Sequence, residues 1–95
     1  MNIGQAIKKI RTEQKISQGE FAEKCGLSQT SMSQIESGKK RPSVSNLKKI
    51  CEVLDIPETI LYLYGMEESD VPEQKREVFN LLYPTVEDII MKLVR

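Results

Sequence analysis

Apolar residues recur at helical spacing along most of the chain, and no segment shows the period-two alternation of a strand. Ile3, Ala6, Ile7 and Ile10 predict a first helix from about Asn2 to Glu13, with Lys8, Lys9 and Arg11 around its other faces. Ser17-Gln18-Gly19-Glu20 places Glu three residues after Ser, the reciprocal cap that starts a helix. Phe21, Ala22 and Cys25 then share one face, and Gly26 is placed to end that helix in a left-handed conformation. Ser28 can cap a third helix, in which Met32 and Ile35 form the buried stripe and which Gly38 closes. Beyond Pro42, Ser43 can cap a fourth helix through about Leu54, burying Leu47, Ile50, Cys51 and Leu54. Pro57 suits the first turn of a short fifth helix. Ile60, Leu61 and Tyr64 are its apolar positions and Gly65 its end. The fold expected is all-α.

The remainder reads differently. Met66 to Pro72 is acidic and polar with a proline, the composition of a loop or short linker. Glu73 to Tyr83 is expected to be helical, with Val78, Leu81 and Leu82 apolar, and Pro84 is expected to break it. Thr85-Val86-Glu87-Asp88 can start a last helix, where Val86, Ile89, Ile90, Leu93 and Val94 fall at i, i+3, i+4, i+7 and i+8. That stripe needs a cover: its own domain, a second subunit or a foreign partner.

The central pair of helices carries the chemistry. A short helix, a tight turn containing Gly and another short helix make a helix-turn-helix unit. On the outer face of the second of these helices stand Gln29, Thr30, Ser33 and Gln34, all uncharged hydrogen-bonders, where a surface helix usually carries Glu and Lys. Glutamine presents a donor and an acceptor together, matching the N6 and N7 edge of adenine in the major groove. Lys39, Lys40 and Arg41 follow at once, where a phosphate backbone would pass, and Asn46 near the start of the fourth helix could reach a phosphate. A carboxylate this close to DNA is repelled, so Glu36 is expected to pair with a basic side chain of its own chain.

Charge sharpens this picture. The whole chain is neutral, but residues 1–50 hold ten basic and four acidic residues, a net of +6, and residues 51–95 hold four basic and ten acidic, a net of −6. The split suits a polyanion-binding half and a half turned away from it; two unrelated solvated surfaces would look the same. Beside a helix-turn-helix, it points to nucleic acid.

Ser17-Gln18 opening one helix, Gly26-Leu27-Ser28 as the turn, Ile35-Glu36-Ser37-Gly38 closing the next and then Arg41-Pro42-Ser43 resemble the phage-repressor and Cro type (XRE-like) of helix-turn-helix regulator, from about Ile3 to about Tyr64. The resemblance implies a five-helix lambda-repressor-like DNA-binding domain over residues 1–65. Residues 66–95 would be a C-terminal extension of about two further helices and a possible dimerisation element. It further implies that Ser28, Gln29, Thr30 and Gln34, with Ser33 beside them, meet base edges. Gln18 matches a glutamine that binds phosphate and braces the first glutamine of the recognition helix. Ser17, Lys39, Lys40, Arg41 and Asn46 match or neighbour backbone-contacting positions.

Other classes fit less well. There is no histidine, no glycine-rich phosphate loop, and neither Cys25 nor Cys51 has a basic partner in a catalytic pattern, so neither enzyme nor cofactor is expected. Both cysteines read as buried small hydrophobes. Without histidine or paired-cysteine spacing, no zinc site is expected. Five aromatics, none interleaved with the basic cluster, argue against RNA. No run is apolar enough for a membrane span and no signal peptide is evident, so the cytosol is expected. The expectation is a duplex-DNA-binding transcriptional regulator, a homodimeric repressor reading a palindrome. The alternative is an antitoxin-like protein-interaction module whose C-terminal helices grip another protein. Two surfaces are candidates for the dimer: Ile60, Leu61, Leu63 and Tyr64 of the fifth helix, and Val86, Ile89, Ile90, Leu93 and Val94 of the last.

Overall fold

The computed structural model describes residues 1–95. Six α-helices follow one another: α1 (Ile3–Glu13), α2 (Gln18–Lys24), α3 (Gln29–Glu36), α4 (Val44–Leu54), α5 (Glu58–Tyr64) and α6 (Arg76–Val94), with 3-10 turns at Glu68–Asp70 and Glu73–Lys75 before the last. The starts are written locally. Asn2 Oδ1 accepts from the Gln5 amide, Ser17 Oγ from Glu20, Ser28 Oγ from Ser31 and Ser43 Oγ from Asn46, each meeting a first-turn N–H that the helix cannot satisfy. The Ser17 box is half made, because the Glu20 carboxylate turns to Lys24 instead. Gly26 and Gly38 leave α2 and α3 at φ +71 and +83, a region where a Cβ is penalised.

Fifteen buried apolar residues form one core, among them Ile7, Ile10, Phe21, Met32, Ile35, Ile50, Leu54 and Leu61. Gly4 lets α1 press against the end of α3. A Cβ there would overlap the Ile35 carbonyl oxygen and stand 2.9 Å from that of Glu36. Cys25 and Cys51 are buried free thiols, both pushed up to about 11 by burial.

The C-terminal region departs from expectation. Pro84 does not break the chain into two helices: α6 runs through it for 19 residues. Pro84 removes the N–H that the Asn80 carbonyl would accept, but both residues are exposed, so water can serve that oxygen. Tertiary contacts hold the helix on either side of the proline. The Tyr83 hydroxyl, on a ring stacked at 4.6 Å on Phe79 of the same helix, lies 2.9 and 2.6 Å from the carbonyl oxygens of Leu63 and Tyr64. Gln14 Nε2 donates to the carbonyl oxygens of both Leu54 and Val94, clasping the ends of α4 and α6.

Three candidate interface residues are thereby reassigned. Ile90 and Val94 are buried in the core, as is Leu61 of α5, so their apolar surface is already covered within the chain. Val86, Ile60 and Tyr64 pack partly against it. Leu63, Ile89 and Leu93 remain exposed. The segment before α6 is tied down as well. The Met1 ammonium bonds Glu67 at 2.7 Å and Asp70 at 2.8 Å, holding the Asp70 carboxyl below its usual range.

Candidate nucleic-acid interface

The α2–turn–α3 unit is fixed by what it buries. Phe21, Ala22, Met32 and Ile35 point into the core, and the Leu27 amide donates to the Ala22 carbonyl across the turn. The outward positions of α3 are then set by helical geometry. Gln29, Thr30, Ser33 and Gln34 are all exposed, and with Gln18 of α2 they line one open depression of about 370 Å³ with no apolar side chain in it. All five are uncharged, and all but the shorter Ser33 and Thr30 end in an amide able to donate and accept at once.

Beneath this face lies a buried ion pair. Arg11 Nε and Nη2 donate to the two carboxylate oxygens of Glu36 at 2.8 and 3.0 Å, and Arg11 Nη1 donates to the Ile16 carbonyl. Gln18 Nε2 donates to Glu36 Oε1 at 3.1 Å. One carboxylate thus joins α1, α2 and α3. It holds the Gln18 side chain beside the recognition helix, and its own charge is matched by Arg11. The expectation that Glu36 has a basic partner within the chain holds. The placing of Arg11 on an outer face does not, since Arg11 is only 8% exposed. Its spacing carried the signal, because Arg11 follows Ile7 by four residues and Gly4 by seven, on the packed face of α1.

The expected brace between Gln18 and Gln29 takes another form. The two side chains share the depression, but the Gln18 amide bonds Glu36 rather than Gln29. Gly19 makes room instead: a Cβ there would sit 3.4 Å from Gln29 Oε1. Arg11 and Gly19 support this face although neither is among the residues whose type marks it in the sequence.

The remaining candidates lie on neighbouring segments. Ser17 and Ser28 are exposed at the N-caps of α2 and α3; each Oγ accepts a backbone bond, leaving its hydroxyl proton free to donate. Lys39, Lys40 and Arg41 are exposed just past α3, flank the start of α1 and enter no ion pair, while the Lys40 amide folds back onto the Gln34 carbonyl. Asn46 is half-buried in the first turn of α4. The result is a neutral hydrogen-bonding face on α3 with unpaired cations in the segment that follows the helix. That division is the one duplex DNA requires: base edges are read by hydrogen bonds and phosphates by charge.

A helix-turn-helix family model matches residues 7–61. The immunity repressor protein of Bacillus phage phi105 is 36% identical over 77 residues, covering 81% of this chain and 51% of the relative. The chain therefore spans about half the length of the curated relative it matches. With more than half of its residues inside the family match, both helices and the turn among them, the chain belongs to the helix-turn-helix family.

Proposed function

We infer that the protein is a transcriptional repressor that binds duplex DNA sequence-specifically, as a homodimer on a palindromic operator. The uncharged face of α3, followed in the chain by three unpaired cations and backed by a neutralised Glu36, carries this reading. The similarity to an immunity repressor supports the repressor role. In it, Gln29 and Gln34 read base edges with Ser28, Thr30 and Ser33 beside them, and Ser17, Gln18, Lys39, Lys40, Arg41 and Asn46 position the phosphates. One recognition helix reads only a few base pairs. A two-fold pair places two about 34 Å apart, one turn of DNA, and so reads a palindrome.

Selection from a random duplex pool tests this reading, with a palindrome as the expected product. Titrations on the selected and a scrambled duplex then separate the roles. Gln29→Ala should lose discrimination, by roughly 1–3 kcal/mol for a bidentate base contact. Lys40→Ala should weaken both duplexes alike. Log K should fall linearly with log salt, at a slope of about −0.9 per neutralised phosphate. Equal losses on both duplexes for Gln29→Ala, or affinity flat in salt, would refute the assignment.

A further inference from the structure

The apolar residues of α6 form two faces, not one. Phe79, Tyr83, Val86, Ile90 and Val94 turn inward at successive steps of four, three, four and four residues: Ile90 and Val94 are in the core, Val86 packs against it, and Phe79 and Tyr83 are half-buried. Val78, Leu82, Thr85, Ile89 and Leu93 repeat the same steps one residue earlier, which turns them about 100° around the helix. A surface helix needs only one apolar stripe, and a helix apolar on further sides is covered on those sides. Yet Val78, Leu82, Ile89 and Leu93 are between 52% and 66% exposed, and the neighbouring Leu81 is 76% exposed.

We propose that this outer face of α6 is a seam that packs against the same face of a second copy of the chain. The proposal deepens the reading above, which needs two recognition helices, and rests on it for its purpose. Three features favour a second copy as the occupant. The alternation of four and three residues is the spacing at which one helix packs along another over several turns. From Val78 to Leu93 it runs for about 22 Å of helix. The seam residues are apolar or, at Thr85, neutral, so the face offers nothing to a partner of opposite charge and is complementary to itself, as a two-fold contact requires. Its size also fits. Five side chains exposed to this degree present about 500 Å² per copy, which with a polar rim approaches the ~800 Å² per partner of a standard interface. A monomer would leave that patch in water.

Sedimentation equilibrium without DNA tests the seam, comparing wild type with the double variant Leu82→Glu/Ile89→Glu. Both positions are exposed, so circular dichroism and melting temperature should be unchanged, while the dimer dissociation constant rises by about 100-fold or more because unpaired carboxylates enter the contact. Leu93→Lys, nearer the helix end, provides the same comparison should the double variant fail to fold. A wild type that stays monomeric at about 100 µM overturns the proposal, and that includes a protein whose seam serves a foreign partner instead. A folded variant that dimerises as tightly as wild type overturns it too. Fluorescence anisotropy on the selected palindrome and on one half-site separates this from the DNA reading. The monomeric variant should keep half-site binding and lose the preference for the whole palindrome. A dimeric wild type that binds neither duplex would reject the DNA reading and leave the seam intact.

Discussion

Arg11→Met is the most direct test of how the interface is held. The substitution keeps the length and most of the apolar stem of the side chain but removes the guanidinium that bonds both oxygens of Glu36 and the Ile16 carbonyl. Glu36 is 6% exposed, so its carboxylate would stay buried with the Gln18 amide as its one hydrogen-bond donor. Removing one partner of a buried pair costs about 3–5 kcal/mol, most of it from the charge left behind. A 95-residue chain has a total stability of roughly 5–14 kcal/mol, so the variant should be marginal. At about 4 °C or more per kcal/mol, its melting temperature should fall by at least ~12 °C. Urea unfolding gives the free energy itself. One further result follows if desolvated charge is the cause. The double variant Arg11→Met/Glu36→Met should recover to within about 2 kcal/mol of wild type, because apolar side chains can replace the pair. A loss under ~1 kcal/mol, or a double variant no better than the single, would refute the reasoning.

Gly4→Ala should destabilise the protein by about 2–3 kcal/mol although alanine is the better helix former, because its methyl would overlap the Ile35 carbonyl; urea unfolding reads the sign directly. Ile90→Ala should cost about 2–4 kcal/mol and Ile89→Ala within ~0.5 kcal/mol, measured on the monomer so that association does not enter, since only the first side chain is in the core. Both thiols should resist alkylation at pH 8 in the native state and react once denatured. Burial has raised both to about 11, so the folded state holds these protons more tightly, and the stability they contribute is lost as the pH rises from about 9 through 11.

What the sequence made legible was mostly local. Ser17, Ser28 and Ser43 announce helix starts because a cap involves residues two or three apart, and Gly26 and Gly38 announce ends for the same reason. The outward face of α3 follows from the period of the helix once Met32 and Ile35 are turned inward. The misreadings concern partners far along the chain. Pro84 looked like a break because the local rule is strong; the bonds from Tyr83 to Leu63 and Tyr64, about twenty residues away, help to hold the helix through it. Arg11 looked like solvent-facing charge, and its partner Glu36 lies 25 residues on. The stripe from Val86 to Val94 is legible as apolar but its division is not, because which side of it meets the core depends on where α1 and α5 sit.

That division has a consequence for how α6 finds its place. Its two apolar faces have the same spacing and differ by a single step along the chain, so rolling the helix by one residue would turn Val78, Leu82, Ile89 and Leu93 inward in place of Phe79, Tyr83, Ile90 and Val94. Hydrophobicity alone discriminates weakly between these two registers. Directional groups discriminate strongly. In the rolled register the Tyr83 hydroxyl would leave the carbonyls of Leu63 and Tyr64 that it now serves, and the Val94 carbonyl would turn away from the Gln14 amide. A few hydrogen bonds therefore help to decide which apolar face is interior and which stays exposed. Tyr83 thereby helps to set which apolar surface of α6 stays exposed.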